Sequence, residues 1–184
     1  MTISIKSFYC LITILILSFY HNLLVAQTIE KVVELPAEIH ETSGLEYFEG
    51  NFLTHNDRGG KPILYLFSEA GELIENHLIL NAENKEWEDL TKDENLIYIS
   101  DTGNNFGNRK KLKILMVDPD KNFEVAGEIK VNYKNQKNFE KRKKHDYDAE
   151  AIAAVPKSLV LFSKNRKTFT TELYFIPKKK GDYS

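Results

Sequence analysis

The chain has 184 residues, with 27 acidic side chains against 25 basic ones and a formal charge of −2. So mild an acidic balance gives no electrostatic basis for nucleic-acid binding. The lone cysteine, Cys10, lies in an apolar leader, so the remainder of the chain has no disulfide, thiolate or cysteine–zinc chemistry.

Lys6 supplies a short basic start, residues 8–17 are almost wholly apolar, and Ala26 precedes Gln27. This pattern predicts a secretory signal peptide over 1–26 and a secreted or periplasmic mature chain. Ser18, His21 and Asn22 interrupt the apolar stretch. A span needs ~20 clean apolar residues, so no stable membrane span is expected after cleavage. An exported chain without disulfides relies on its core or on bound metal.

Strand signals dominate residues 27–184. Alternation over 28–35 stops at Pro36, and short strands follow at 45–48 and 51–54 around Glu49 and Gly50. Strands at 63–67 and 73–80 complete a first unit. A second unit has strands at 87–91, 96–100, 112–117 and 126–133. Residues 135–144 are polar, charged and without period, which predicts a loop. The third unit has strands at 149–155, 159–162 and 172–176, and its fourth strand is missing. The basic runs at 141–144 and 178–180 sit among loop residues and read as solvated surface.

The three units repeat one pattern: an acidic entry, an apolar anchor (Leu45, Leu90, Ile152), a short apolar run and a polar turn. Four-stranded units spaced about 45 and 62 residues apart suit propeller blades, which usually run about 40–50 residues. The expected fold is all-β: a partial, about three-blade fragment of a six-bladed β-propeller, with blades near 41–80, 86–133 and 148–184. In a full ring, the strand at 28–35 would complete a last blade that is absent here. Closed propellers need roughly four to eight blades. The sequence therefore reads as a truncated or split version of a longer protein, with open sheet edges available for self-association.

Aligning the units on their anchors stacks Glu41, Glu86 and Asp148 in one column and Ser43, Glu88 and Glu150 in the next. The following turns align His55 with Asp101 and Lys164, and Asn56 with Thr102 and Asn165. Carboxylates gathered on one rim repel by about 4 kcal/mol per pair at 4 Å and an effective dielectric near 20. Lys164 and Arg166 would offset part of this, and a Ca²⁺ ion with six to eight oxygen ligands would offset the rest. The metal candidates are Glu41, Glu88, Asp89, Asp101, Asp148 and Glu150. Asp57, Asp101 and Asn105 suit turns equally well, because such side chains bond nearby backbone. His55 beside Asp57 would suit acid–base chemistry, but no serine in a nucleophile-elbow setting accompanies it.

The ordered set Thr42 to Leu45, His55 to Asp57, Trp87 to Leu90, Asp101 to Asn105 with Arg109, and Tyr147 to Ala151 with Ser163 and Lys164 resembles a group of secreted bacterial propellers, the phytase-like (esterase-like) and SdiA-regulated family. The resemblance implies a six-bladed propeller, export, and Ca²⁺ on an acidic face. A related phytase type uses calcium ions to hold phosphate and activate water. By that resemblance, Glu88, Asp89, Asp101, Asp148 and Glu150 would face metal. Lys164, Arg166 and Arg109, with His55, Asp57 and Asn104, would face substrate. Three functions fit: an exported binding or scaffold propeller for a small molecule or protein, a Ca²⁺-dependent phosphoesterase in a full-length parent, and a fragment without function of its own.

Overall fold

The computed structural model describes residues 32–184, and every strand lies in the unit 33–184. The expected signal peptide, Cys10 and residues 28–31 of the expected first strand fall outside the described residues. Positions 32–35 of that stretch are not strand. Leu35 and Ile39 instead pack on Tyr65 and Phe67, against a sheet face and not along a strand edge. The described chain is all-β apart from one 3-10 turn, Pro119–Lys121, and none of its helices is long and apolar enough to cross a membrane.

The first sheet is an antiparallel meander of β1 (Thr42–Phe48), β2 (Asn51–Asn56), β3 (Ile63–Phe67) and β4 (Leu73–Leu78). Its first hairpin closes through Glu49 and Gly50, at φ 49° and 81°. Two successive left-handed residues match the twist of a tight hairpin, and glycine tolerates that conformation without strain. The second sheet contains β5 (Asp89–Lys92), β6 (Ile97–Asp101), β7 (Leu112–Asp118) and β8 (Glu124–Val131). The third contains β9 (Ala149–Val155), β10 (Ser158–Ser163) and β11 (Leu173–Pro177). No sheet closes on itself.

The chain end departs from the sequence expectation. Gly181–Tyr183 forms a strand, β12, but it does not extend the third sheet. It pairs in parallel with β8, so the second sheet runs β12-β8-β7-β6-β5. Asn132 N–H donates to Tyr183 O at 2.9 Å, and Asn132 Nδ2 donates to Asp182 Oδ1 at 2.7 Å. Those bonds draw the segment onto the β8 edge.

Two apolar layers hold the sheets together. One joins Leu53, Leu64 and Leu66 of the first sheet to Leu90, Ile99 and Leu115 of the second, around Trp87. The other joins Tyr98, Ile114 and Ile129 of the second to Ile152, Leu161 and Ile176 of the third. Each large side chain buried in this way contributes about 1.5–3 kcal/mol, so packing dominates cohesion between sheets. All five residues of β6 are buried because that strand lies between both layers.

Cross-strand pairing places the anchors at one register: Leu45 opposite Thr54, Leu90 opposite Ile99, and Ile152 opposite Leu161. Leu90 and Ile152 face the preceding sheet and are 2% and 5% exposed, whereas Leu45 has no preceding sheet among the described residues and is 60% exposed. The turns beyond follow a different alignment from the one read in sequence. The register sets His55 level with Ser100 and Phe162, not with Asp101 and Lys164. The irregularities between Thr42 and Gly44 and between Phe162 and Ser163 lie beyond these rungs, so strand register alone, with no bulge, sets His55 level with Ser100 and Phe162.

Candidate functional site

Polar entries to β1, β5 and β9 meet the turns after β2, β6 and β10 in an open cleft of about 680 Å³. Ser43, Asp57, Arg58, Glu88, Asn105 and Glu150 line it together with Phe106, Lys143, Lys164 and Arg166. A larger groove of about 830 Å³ passes Leu80, Gly127 and Lys180 on the outer rim of the sheets, away from these turns.

Asp57, Glu86 and Glu88 each present a carboxylate oxygen within 4.8 Å of the others. Two of these acids have partners. Asp57 Oδ1 accepts from Arg58 N–H at 2.6 Å. Glu86 accepts from Asn105 Nδ2 at 3.0 Å and sits 3.9 Å from the Arg58 guanidinium. Burial raises the Glu86 carboxyl, while Arg58, Asn105 and Arg109 pull it back.

Glu88 has no side-chain hydrogen bond and no ion pair among the described residues. Only 9% of the residue is exposed. Burial first, then the charges of Glu150, Asp57, Asp148 and Glu86, push its carboxyl up to about 8. Its backbone is fixed on both sides: Ser43 Oγ donates to Glu88 O at 2.7 Å, and Glu88 N–H donates to Ser100 O at 3.0 Å. Gly103 makes the room for it. A Cβ at position 103 would lie 1.8 Å from Glu88 Oε1 and 2.7 Å from Glu86 Cβ.

The far wall is held by cations. Arg166 Nε bonds Asp148 Oδ2 at 2.5 Å, and its Nη2 bonds Glu150 Oε1 at 3.0 Å and also donates to Asn105 Oδ1. Lys164 Nζ bonds Glu150 Oε2 at 2.5 Å. Asp148 is fully buried and also accepts from Asn104 N–H at 2.6 Å, so one carboxylate ties the 103–109 loop to β9.

Among the candidates named from sequence, Glu88, Glu150, Asp57, Lys164 and Arg166 share the cleft. Asp148 stands directly behind it as a buried partner of Arg166. The others do not reach it. Glu41 is exposed, and its backbone carbonyl accepts from Asp57 N–H. Asp89 turns between strands, where Oδ2 accepts from Ile152 N–H and Oδ1 from Leu90 N–H, both at 2.8 Å. Asp101 is paired with Arg109 at 2.8 Å and accepts from Glu86 N–H. Arg109 also donates to Gly103 O, and Asn104 bridges Tyr147 O and Arg109 N–H, so this trio braces a loop. His55 is sealed beneath Gly44, with its ring edge-on to Trp87 at 5.6 Å, and burial lowers its pKa. That environment removes it from ligand contact.

Sequence reasoning missed Arg58, Asn105 and Lys143 as cleft residues. Arg58 follows a recognisable polar turn, and Asn105 ends the Asp101 to Asn105 run, so both lay beside signals already read. Lys143 belongs to a basic run that looks like ordinary solvated loop.

No family model matches the chain, and no curated protein matches it. The chain is similar to two solved structures of computationally designed proteins. The match to Ika4 has a TM-score of 0.40 at 10% identity, covering 81% of this chain and 99% of that one. The match to Ika8 has a TM-score of 0.37 at 10% identity, covering 83% of this chain and 51% of that one. Likenesses at this level carry no argument about family or function.

Proposed function

We propose that this chain is an exported binding protein built on part of a β-propeller, with a cleft that holds Ca²⁺ through Asp57, Glu86 and Glu88. The leader over 1–26 supports export. Three successive antiparallel meanders, with β1, β5 and β9 side by side along one axis, support the propeller reading. Its place in the phytase-like and SdiA-regulated group rests on the motifs quoted above.

The observation that carries the metal reading is Glu88. A buried carboxyl with no cationic partner, crowded by two further carboxyls, is relieved by an oxygen-seeking divalent cation. Lys164 and Arg166 are already neutralised by Glu150 and Asp148, which leaves the Asp57, Glu86 and Glu88 side as the acidic pole. Bound there, the ion would supply a positive centre for an anionic ligand lying toward Lys143 and Arg58.

Calcium titration followed by thermal melting tests this. A ligand at 100 times its Kd adds about 2.7 kcal/mol of stability. An unchanged melting temperature across millimolar Ca²⁺, in wild type and Glu88→Gln alike, would reject the metal site. The cations lining the same cleft favour a phosphoesterase as a second reading. Ca²⁺-dependent phosphate release that Glu88→Gln abolishes would support it, and binding without turnover would leave the chain a binding protein.

A further inference from the structure

A second cleft, of about 340 Å³, opens where β7 begins and β8 ends, and it shares no lining residue with the cleft around Glu88. Leu112 and Val131, paired across the two strands, line it. Arg109 and Lys110 enter from the loop before β7, and Lys134, Lys137 and Phe139 from the loop after β8. No acidic side chain lines it. On a chain of formal charge −2, this is a local reversal of sign.

The four cations are not alike. Arg109 is already neutralised by Asp101 at 2.8 Å. Lys110, Lys134 and Lys137 are exposed and form no hydrogen bond through Nζ and no ion pair among the described residues. Lys110 Nζ has only the Phe139 ring beneath it, 5.4 Å from the centroid.

Both walls are fixed by hydrogen bonds. Gln136 N–H donates to Tyr133 O at 2.9 Å and closes the turn that carries Lys134. Gln136 Nε2 donates to Gly107 O at 2.8 Å, and Tyr147 Oη donates to Asn135 O at 3.1 Å. On the other side, Arg109 N–H donates to Asn104 Oδ1 at 2.9 Å. The backbone that presents the lysines is therefore ordered in advance, and a ligand has only side chains to immobilise.

We propose that this cleft binds a phosphate group, as the free ion or as a phosphomonoester, through Lys110, Lys134 and Lys137. Three ammonium groups without a counter-charge repel one another. Phosphate carries about 1.5–2 negative charges near neutral pH and three strong acceptor oxygens, enough to meet all three lysines. A carboxylate brings one charge and leaves most of that repulsion in place. Lysine serves phosphate as a point charge and needs no planar fork. The volume stands at the low end of small-ligand sites, roughly 300–1,000 Å³, so it suits phosphate with a small group attached.

The test is calorimetric titration of the full chain, isolated after export, with inorganic phosphate, glycerol phosphate and acetate. EDTA in every arm removes divalent cations from the cleft around Glu88, so the outcome does not depend on the Ca²⁺ reading. Vesicles of phosphatidylcholine with and without phosphatidic acid, read by co-sedimentation, separate a lipid headgroup from a free ligand. The variants are Lys110→Gln, Lys134→Gln and Lys137→Gln, with Lys157→Gln as a control of equal charge in the turn between β9 and β10. All four side chains are exposed, and circular dichroism should show every variant folded. Saturable binding of a phosphate probe is expected, with each cleft variant weaker by about tenfold, the low end for a charge-assisted hydrogen bond. Lys157→Gln should bind as wild type does. Binding of the soluble probes assigns the site to a free ligand, and binding of phosphatidic acid vesicles alone assigns it to a headgroup. Absence of binding to all phosphate probes at millimolar concentration overturns the proposal. So does acetate binding as tightly as phosphate, or an equal loss in Lys157→Gln, which belongs to diffuse surface charge.

Discussion

Replacing Glu88 with Gln removes one charge and keeps the shape, so it isolates the electrostatic load in the cleft. The wild-type carboxyl rises from 4.5 to about 8 on folding. With a folded pKa above the unfolded one, the folded state holds the proton longer as pH rises. Between about pH 4.5 and 8 the unfolded chain binds fewer protons, so stability falls across that window and levels off above it. The full displacement corresponds to at most about 5 kcal/mol at 1.36 kcal/mol per unit. The cleft opens to water, and Arg58, Lys164 and Arg166 lie close by, so screening reduces this to about 2–3 kcal/mol. In EDTA at pH 8.5, Glu88→Gln is therefore expected to be more stable than wild type, by about 4–12 °C in Tm for a domain of this size. The two should converge near pH 5. In excess Ca²⁺ the order should reverse, because the variant loses a ligand. Urea or thermal unfolding from pH 5 to 9, with and without the ion, reads all of this. Parallel stability curves for the two proteins in EDTA would refute the claim that Glu88 is buried without a partner.

Three further outcomes follow from the same geometry. Gly103→Ala should displace the Glu88 side chain and abolish the Ca²⁺-induced rise in Tm while leaving the circular dichroism unchanged; a retained Ca²⁺ response would contradict the close approach. Asp89→Ala leaves the Ile152 and Leu90 N–H groups without their acceptor and should cost about 2–4 kcal/mol. Asp89→Asn, which keeps an oxygen acceptor, should lose less, and equal losses would argue against the two bonds. Trp87→Ala, at the centre of the layer between the first and second sheets, should cost about 3–5 kcal/mol in urea unfolding.

Much of the fold was legible because burial leaves a readable pattern. The strands Ile63–Phe67 and Ala149–Val155 appear in the sequence with the limits seen in the structure. The common register of Leu45, Leu90 and Ile152 also followed from the apolar runs. What escaped was set by strand register and long-range pairing. His55 pairs with Gly44 inside the β1–β2 ladder and is buried there against Trp87, and nothing local marks the choice of β12 between two sheets. In the cleft, the Lys164 and Arg166 pair was legible because it follows a strand directly. Asp89 was misplaced because an acid at the start of a strand looks the same whether it faces a ligand or caps a neighbouring strand. Glu86 stood in the right column, and only its distance to Asp57 and Glu88 distinguishes it as the third member of the cluster.

The parallel pairing of β12 with β8 has a mechanical consequence. After leaving the third sheet, the chain is fastened to the second by Lys178 to Asp93 at 3.0 Å and by the Asn132 bonds. Fraying of β11 therefore drags away the strand that shields the β8 amides, and the second and third sheets should open as one cooperative block. The first sheet shares no strand with either neighbour. In native-state hydrogen exchange, its amides should form a separate class with their own opening free energy, while those of β8 and β10 should exchange together.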